Sequence, residues 1–244
     1  MNIALIGYGK MGREVEAAAK EKGIGVIRIF SRGDNPNSKG LTPASLSGVE
    51  VCIDFSIPAA AVDNIKAVAA CGKNIVTGTT GWLEKLEEVK SIVSEKQIGF
   101  LYTSNFSIGV NIFMQIVENA AEIINRYPDY DIALSEIHHT KKADSPSGTA
   151  LSLASIILEH TTRKTQILSG TPKAEIAPHE LQITSARVGK NAGTHSVMID
   201  SEYDSIQLTH TAKNRRGFAL GALAAAEWLN GKKGMFTMKD VIAR

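Results

Sequence analysis

The N-terminal segment reads Asn2-Ile3-Ala4-Leu5-Ile6-Gly7-Tyr8-Gly9-Lys10-Met11-Gly12, and its pattern predicts the fold of the first half of this chain. It begins with an apolar run typical of a strand buried on both faces, and apolar residues at helical spacing then predict a helix over residues 11–22. The glycines between them have the spacing GxGxxG. The first allows a tight turn, the second lets backbone approach a pyrophosphate, and the third lets the helix pack on the strand. The six residues Gly7 to Gly12 are therefore predicted to bind a dinucleotide cofactor.

Strand and helix patterns alternate as far as about residue 103. Strands are predicted over residues 25–30, 50–55, 74–77 and 98–103, and helices over residues 59–70 and 84–96. Such alternation predicts a parallel sheet with helices on both faces.

The pattern changes beyond Asn105. A long helix is predicted over residues 109–126, and a strand over residues 131–137 is expected to deliver His138 and His139 into a loop. Residues 180–211 alternate between polar and apolar, which is typical of a mostly antiparallel sheet with one buried face. An Ala-rich helix over residues 217–229 is expected to return to the first domain. Residues 1–106 with 216–244 are thus predicted to form a dinucleotide-binding domain, and residues 107–215 a second domain.

Composition excludes several classes of partner. The chain has 244 residues, a formal net charge of +2 and no long basic block, so neither nucleic acid nor a membrane surface is expected as a partner. No apolar run approaches the ~20 residues of a membrane-spanning helix. Two cysteines without a metal-type Cys/His spacing predict reduced, buried thiols and no metal. Because no secretion signal is visible, a cytoplasmic location is predicted.

A second stretch carries candidate chemistry: Glu136-Ile137-His138-His139-Thr140-Lys141-Lys142-Ala143-Asp144-Ser145-Pro146-Ser147-Gly148-Thr149-Ala150. It places two imidazoles, two ammonium groups and a carboxylate before a helix whose N-cap is expected to be Ser147. The N–H groups of Gly148 and Thr149 would be unpaired there, where the helix dipole favours an anion. A histidine with its ordinary pKa near ~6.5 is suited to proton transfer at neutral pH. The stretch predicts a site that holds and protonates a small carboxylate.

Residues at the end of the second strand are expected to contact the adenosine ribose of the cofactor. No acidic residue ends this strand, and the chain continues as Ser31-Arg32-Gly33-Asp34. An arginine there suits a 2′-phosphate, so Ser31 and Arg32 are predicted to contact the cofactor, with NADPH preferred to NADH. The alternative is that Arg32 is a solvated surface charge and that Asp34 binds the ribose of NADH.

Two further strand ends fall at the edge of the sheet where ligands gather. They carry Gly78-Thr79-Thr80-Gly81 and Thr103-Ser104-Asn105-Phe106. Both segments are predicted to contact the cofactor, and the alternative for each is a turn without a ligand.

Together these motifs resemble the dihydrodipicolinate reductase family (4-hydroxy-tetrahydrodipicolinate reductases) of lysine and diaminopimelate biosynthesis. The similarity runs through nearly the whole chain and comprises Gly7–Gly12, Asp54–Pro58, Gly78–Gly81, Asn105–Asn111 and Glu136–Ala150. The last, with the spacing HHxxKxDxPSGTA, is highly specific. The resemblance implies a Rossmann-type α/β nucleotide domain, an α+β substrate-binding and oligomerisation domain with a mixed, mostly antiparallel sheet, and a homotetramer.

The resemblance also implies roles for residues of the second stretch. His138 corresponds to an acid/base histidine and Lys142 to a proton-donating lysine. His139, Gly148 and Thr149 correspond to substrate-binding positions. The implied reaction is NAD(P)H-dependent reduction of 4-hydroxy-tetrahydrodipicolinate (dihydrodipicolinate), a cyclic dicarboxylate, to tetrahydrodipicolinate.

Two positions depart from the family's pattern. Ser31 stands where many members have a carboxylate, which argues against strong use of NADH, and Ser145 replaces the usual alanine. Two alternative functions stay open. One is an NAD(P)-dependent dehydrogenase of another small amino or semialdehyde carboxylate, and the other is a nucleotide-binding redox sensor without chemistry.

Overall fold

The computed structural model describes residues 1–172 and 174–243. It divides into two compact units, Met1–Asn111 with Arg215–Arg244 and Ile112–Asn214. Within the described residues, no helix combines the length and the apolar character needed to cross a membrane.

In chain order the strands are β1 (Asn2–Ile6), β2 (Gly25–Phe30), β3 (Val51–Asp54), β4 (Asn74–Thr77), β5 (Gly99–Tyr102), β6 (Asp131–His138), β7 (Gln166–Ser169), β8 (Glu180–Arg187), β9 (Thr194–Asp200), β10 (Ser205–Thr211) and β11 (Gly234–Phe236). The helices are α1 (Lys10–Glu21), α2 (Pro58–Ala70), α3 (Leu86–Lys96), α4 (Ile108–Ile124), α5 (Gly148–His160), α6 (Arg216–Leu229) and α7 (Met238–Ile242).

The first unit is built on a six-stranded sheet in the order β2-β1-β3-β4-β5-β11. Every pairing in it is parallel, as the alternation of strands and helices predicted. The chain leaves β1 for β2 on one side and returns to β3 on the other. In open parallel sheets this switch point is where ligands bind, at the carboxyl ends of the strands.

Both faces of this sheet are buried. Ile3 and Leu5 of β1 pack in one apolar core with α1 and α6, while Ala4 and Ile6 pack in another with α2 and α3. Because successive side chains of a strand point to opposite faces, a continuous apolar run supplies both cores at once. The prediction of a strand buried on both faces is confirmed.

The second unit is a five-stranded mixed sheet in the order β10-β9-β6-β8-β7, with α4 and α5 packed into the core on one face. Strand β6 is central and alternates strictly. Its residues Ile132, Leu134, Glu136 and His138 are buried, and the residues between them are not. Two polar side chains therefore continue the line of two apolar ones along the face that the helices cover.

One expectation for this unit was wrong. His138 is the last residue of β6, where it pairs with Arg187 of β8, and only His139 enters the loop. The sheet is mixed, as expected: β9 pairs antiparallel with β6 and β10, and β8 pairs parallel with β6 and β7. The parallel pairing of β6 with β8 follows from connectivity, because α5 intervenes between β6 and the strands that follow, and such a crossover permits it. Strands β7 and β11 were not predicted.

Replacing Gly12 by alanine is expected to destabilise the first unit. A Cβ atom at Gly12 would lie 2.4 Å from the carbonyl oxygen of Gly7, which is backbone and yields only by moving the loop. Overpacking of this kind costs roughly 1–3 kcal/mol. The free energy of unfolding should fall accordingly in chemical denaturation.

The matched control is Gly9→Ser in the same loop. A Cβ atom at Gly9 would meet no atom within 4 Å, and Gly9 is the N-cap of α1, a position that serine favours. This variant should keep the wild-type free energy of unfolding. Equal losses of stability in the two variants would contradict the packing role of Gly12.

Candidate nucleotide site and candidate active site

A cavity of about 770 Å³ lies at the carboxyl ends of β1, β2 and β3, at the switch point of the sheet. Three segments that follow these strands line it. They contribute Gly7, Tyr8 and Gly9, then Ser31 and Arg32, and then Phe55 and Ser56. The prediction that the glycine loop and the end of β2 face one site agrees with this arrangement.

The glycine loop has the geometry that a bound pyrophosphate requires. Gly7 has a φ of +86°, and a Cβ atom there would lie 2.3 Å from the carbonyl oxygen of Phe55, so only glycine fits. Helix α1 starts directly after Gly9, its first turn carries no acidic side chain, and its first N–H groups favour an anion. These residues fit a dinucleotide such as NAD(P)H.

The end of β2 is shaped by Asp34. Its Oδ2 atom accepts a hydrogen bond from the backbone N–H of Ser31 at 3.3 Å and another from the Ser31 hydroxyl. Arg32 is exposed and lines the cavity. The Asp34 carboxylate, which belongs to the loop after β2, is thus bonded to the end of that strand. The strand itself does not end in an acidic residue.

A buried carboxylate joins two strand ends beneath this site. Asp54, the last residue of β3, is fully buried, and it accepts hydrogen bonds from the Ser56 N–H at 3.0 Å and the Thr79 hydroxyl at 3.1 Å. Burial raises the pKa of Asp54 to about 6 although these hydrogen bonds oppose the rise. The Thr79 side chain is therefore bonded within the protein, whereas Thr80 is exposed.

The segment after β5 is ordered by its own hydrogen bonds. Thr103 Oγ1 accepts from the Asn105 N–H at 3.1 Å, and Asn105 Oδ1 accepts from the Ser107 N–H at 2.9 Å. Phe106 is buried edge-on against Phe55, with ring centroids 5.6 Å apart, and Ser104 is exposed. The segment lies at the same edge of the sheet as Gly78, as predicted from the strand order.

The candidate active site lies in the second unit, at the end of β6. His138 is 7% exposed, and its Nδ1 atom is 3.3 Å from Oε2 of Glu136, two residues earlier on the same face. His195 of β9 lies directly across from Glu136 in the strand register, with its Nε2 atom 3.6 Å from the same oxygen. The two imidazole rings meet edge-on at 5.0 Å.

The other oxygen of Glu136 binds three donors. Oε1 accepts from the backbone N–H of Ser147 at 3.1 Å, the Ser185 hydroxyl at 2.8 Å and Nη2 of Arg187 at 3.0 Å. Ser147 is also the N-cap of α5, as predicted, because its hydroxyl accepts from the Ala150 N–H at 3.2 Å. One carboxylate thus ties together β6, β8 and the start of α5.

The loop before α5 brings Lys142 to a carboxylate. Lys142 Nζ lies 2.8 Å and 2.9 Å from the two carboxylate oxygens of Asp144. The N–H of Gly148 helps to hold the pKa of Asp144 below its ordinary value, so the carboxylate lies close to the start of α5. A helix start favours negative charge, and here the Asp144 carboxylate of the preceding loop supplies it. His139 and Thr149 are half-buried in the same segment.

The pKa values of the three titratable groups in this cluster all lie below their ordinary values. Burial lowers the pKa of His138, with Glu136 opposing and Lys142 and Arg187 adding to the shift. Burial also lowers the pKa of His195, to about 4, and His138 adds to that shift. For Glu136, burial favours a higher pKa, but the bonds from Ser147, Ser185 and Arg187 outweigh it and hold the pKa below its ordinary value. The arrangement is an ionised carboxylate beside two neutral imidazoles.

Glu136, His138 and His195 each offer one ligand atom within 4.8 Å of the others, a spacing that could hold a metal ion. No metal was expected, because sequence spacing cannot show a ligand on another strand. The guanidinium of Arg187 already binds the same carboxylate, and a second cation beside it would be repelled. The hydrogen-bonded arrangement is therefore the better description.

Comparison with known proteins gives a consistent result. Residues 1–106 match the family model for the dihydrodipicolinate reductase N-terminus, and residues 109–242 match that for the C-terminus. The 4-hydroxy-tetrahydrodipicolinate reductase of Christiangramia forsetii is 41% identical over 243 residues, which cover 100% of this chain and 98% of the relative. That of Archaeoglobus fulgidus is 35% identical over 264 residues, covering 99% and 100%.

A solved structure supports the fold. The dipicolinate-bound dihydrodipicolinate reductase from Paenisporosarcina sp. TG-14 superposes with a TM-score of 0.78 at 22% identity, covering 97% of each chain. Fold, sites and comparisons together define an NAD(P)H-dependent oxidoreductase with a Rossmann-type nucleotide unit. The chain belongs to the dihydrodipicolinate reductase family. The resemblance seen in the sequence is confirmed, as is the reductase function it implied at the level of the family.

The low pKa of His195 predicts that acid destabilises the second unit. A folded pKa of about 4 lies below the unfolded value of ~6.5, so the unfolded chain binds more protons between them. The resulting stability is fully present above pH ~6.5 and is lost as the pH falls towards 4, by roughly 2–4 kcal/mol. His195→Asn should remove this part of the slope when the free energy of unfolding is measured against pH.

The matched control is His179→Asn, which changes an exposed histidine of the same unit. Its profile should retain the wild-type slope below pH ~6.5. If His195→Asn keeps that slope as well, His195 is not the group that acid protonates.

Proposed function

We propose that this protein reduces 4-hydroxy-tetrahydrodipicolinate (dihydrodipicolinate) to tetrahydrodipicolinate with NAD(P)H, in lysine and diaminopimelate biosynthesis. The observation that carries the proposal is the fold of Glu136–Ala150. It places a buried Glu–His pair, a lysine and a helix start at one end of a sheet. The names of the relatives support the same substrate.

The residues of the second unit are assigned roles in handling a dicarboxylate. His138 exchanges a proton with the substrate, and Lys142 donates a proton and pairs with a carboxylate. A substrate carboxylate would replace Asp144, which Lys142 binds and which lies close to the start of α5. His139, Gly148 and Thr149 complete the binding site at the start of α5, where the helix dipole favours an anion.

The residues of the first unit are assigned to the cofactor, which supplies a hydride when bound. The pyrophosphate would be held at the start of α1 by Gly7, Tyr8, Gly9, Lys10, Met11 and Gly12, and the adenosine ribose by Ser31 and Arg32. The nicotinamide end would be held by Gly78, Thr79 and Thr80, together with Thr103, Ser104, Asn105 and Phe106. Thr79 contributes through its backbone, because its hydroxyl is bonded to Asp54.

The proposal includes a cytoplasmic homotetramer without nucleic-acid or membrane partners. Strand β9 supports an association surface on the second unit, because its Met198 points away from the helix-covered core and is 40% exposed. Copies would meet across this outer face of the sheet.

A coupled assay tests the proposed reaction. The substrate is generated from pyruvate and aspartate semialdehyde by a synthase, and loss of NADPH or NADH absorbance is followed after this protein is added. Turnover that requires the synthase product is expected. Turnover only with other amino or semialdehyde carboxylates would favour the alternative dehydrogenase, and none from a folded, nucleotide-binding protein would favour the sensor.

Lys142→Ala is expected to reduce kcat in this assay by roughly 10²–10⁴-fold, the usual contribution of general acid–base catalysis. The adjacent Lys141→Ala is the matched control, because Lys141 is exposed and its side chain lies outside the Lys142–Asp144 pair. NADPH affinity, measured by fluorescence titration, should change little in either variant. A kcat for Lys142→Ala within a few-fold of wild type would remove Lys142 from the mechanism.

We also propose that NADPH is preferred to NADH, because Arg32 lines the cavity and no acidic residue ends β2. Arg32→Ala should weaken NADPH binding by roughly 1.5–3 kcal/mol, the range for hydrogen bonds to charged groups, and leave NADH binding nearly unchanged. Asp34→Asn is the companion variant, since Asp34 lies at the same strand end. Equal losses for both cofactors in Arg32→Ala, or a selective loss of NADH binding in Asp34→Asn, would favour the alternative.

A further inference from the structure

Glu136 has the position of a residue that acts through His138. It is 1% exposed, and the three donors on Oε1 come from α5 and β8, so they hold the plane of the carboxylate from two sides. Its second oxygen, Oε2, is thereby directed towards the two imidazoles. A buried charge with this many partners is costly to disturb and rigid in orientation.

The contact between Oε2 and His138 decides where the ring proton lies. Among the described residues, neither Oε2 of Glu136 nor Nδ1 of His138 accepts or donates a hydrogen bond, and the two atoms face each other at an ion-pair distance of 3.3 Å. An ionised carboxylate only accepts, so the imidazole must donate, and the neutral ring carries its proton on Nδ1. Nε2 then has the free lone pair.

The space beside Nε2 depends on a glycine. A Cβ atom at Gly193 would lie 2.9 Å from Nε2 of His138, closer than side chains pack. Gly193 also has a φ of +139°, a conformation that other residues rarely adopt. Gly193 therefore leaves room at the nitrogen whose lone pair is free.

We propose that Glu136 is a positioning residue that holds His138 in its Nδ1–H tautomer, and that Gly193 keeps Nε2 accessible, so that proton exchange with substrate takes place at Nε2 alone. The inference rests on the proposed reductase function. When the ring is protonated, the proton on Nε2 moves to the substrate while the proton on Nδ1 stays bonded to Glu136. Reversal of the step returns the proton to Nε2.

The charged groups around the His138 ring are consistent with a ring that is bonded to Glu136 at Nδ1 and exchanges protons at Nε2. Glu136 of β6 is the negative neighbour, while Arg187 of β8 and Lys142 of the loop are positive and Asp144 partly offsets them. His195 of β9 closes the remaining side, and its own low pKa keeps it neutral. Glu136 thus opposes two cations that would otherwise make a protonated His138 more difficult to form.

Glu136→Gln provides the sharpest test, because a glutamine has the same shape but carries an NH₂ donor group in place of one carboxylate oxygen. Its carbonyl oxygen would accept the three donors that Oε1 accepts, which leaves the amide NH₂ facing Nδ1 of His138. An NH₂ group there donates, so the ring proton is expected to move to Nε2. Long-range ¹H–¹⁵N NMR distinguishes the two tautomers, and a His138→Gln variant assigns the signal.

Wild type should show the Nδ1–H tautomer, and Glu136→Gln should show the Nε2–H tautomer with kcat reduced by roughly 10²–10⁴-fold, as expected for a histidine in the wrong tautomer. The dissociation constant of NADPH should be unchanged. Glu122→Gln is the matched control, because Glu122 Oε1 lies 3.2 Å from Nδ1 of His160, a Glu–His contact at the surface of the same unit. This control should retain kcat and the tautomer of His138.

Three outcomes would overturn the inference. These are an Nε2–H tautomer in wild type, a Glu136→Gln variant with the wild-type kcat, and stoichiometric Zn²⁺ binding by wild type that Glu136→Gln abolishes, which would make the cluster a metal site. The wild-type spectrum keeps the test decisive even if the variant does not fold. Failure of the proposed reductase function would show separately, as absence of wild-type turnover in the coupled assay, since the tautomer is measured without turnover.

Discussion

The buried carboxylate of Glu136 is the constraint on which the candidate active site depends. It sits on the core-facing side of β6, where an apolar residue would continue the pattern of Ile132 and Leu134. A charge there is stable only if it is hydrogen-bonded, and the three donors to its Oε1 atom come from β8 and the start of α5. Satisfying the charge therefore brings the end of β6 and the N-cap of α5 to one place, together with the histidines beside them.

Asp54 is a second buried carboxylate, in the first unit, and it shows how the hydrogen-bond partners alter the pKa of such a group. Both carboxylates lie near the end of a strand and accept a backbone N–H from the segment that follows that strand. The neutral donors of Asp54 leave its pKa raised to about 6 by burial, whereas Arg187 and two further donors hold the pKa of Glu136 low. A buried, hydrogen-bonded carboxyl group near a strand end can thus be neutral near pH 6, as in Asp54, or stay ionised, as in Glu136.

The sequence predicted most of the fold where the pattern was local. Continuous apolar runs indicated the parallel strands of the first unit, because both faces of that sheet are covered. The prediction was weakest in the second unit, where alternation reports which face is buried but not which strand lies alongside. For this reason the parallel pairing of β6 with β8, the short strands β7 and β11, and the place of His138 within β6 were missed.

The sequence by itself determined the chemical groups and their local spacing: the glycine loop, the His–Lys segment, the N-cap at Ser147 and the family to which they belong. These are properties of neighbours along the chain, where steric limits and helix starts act within a few residues. The groups that complete the sites come from distant parts of the chain, and the three-dimensional fold selects them. It placed Arg187, Ser185 and His195 around Glu136, and a glycine at position 193 beside the imidazole. The reason is that a buried charge takes its partners from strands paired in space, and that pairing depends on the path of the whole chain.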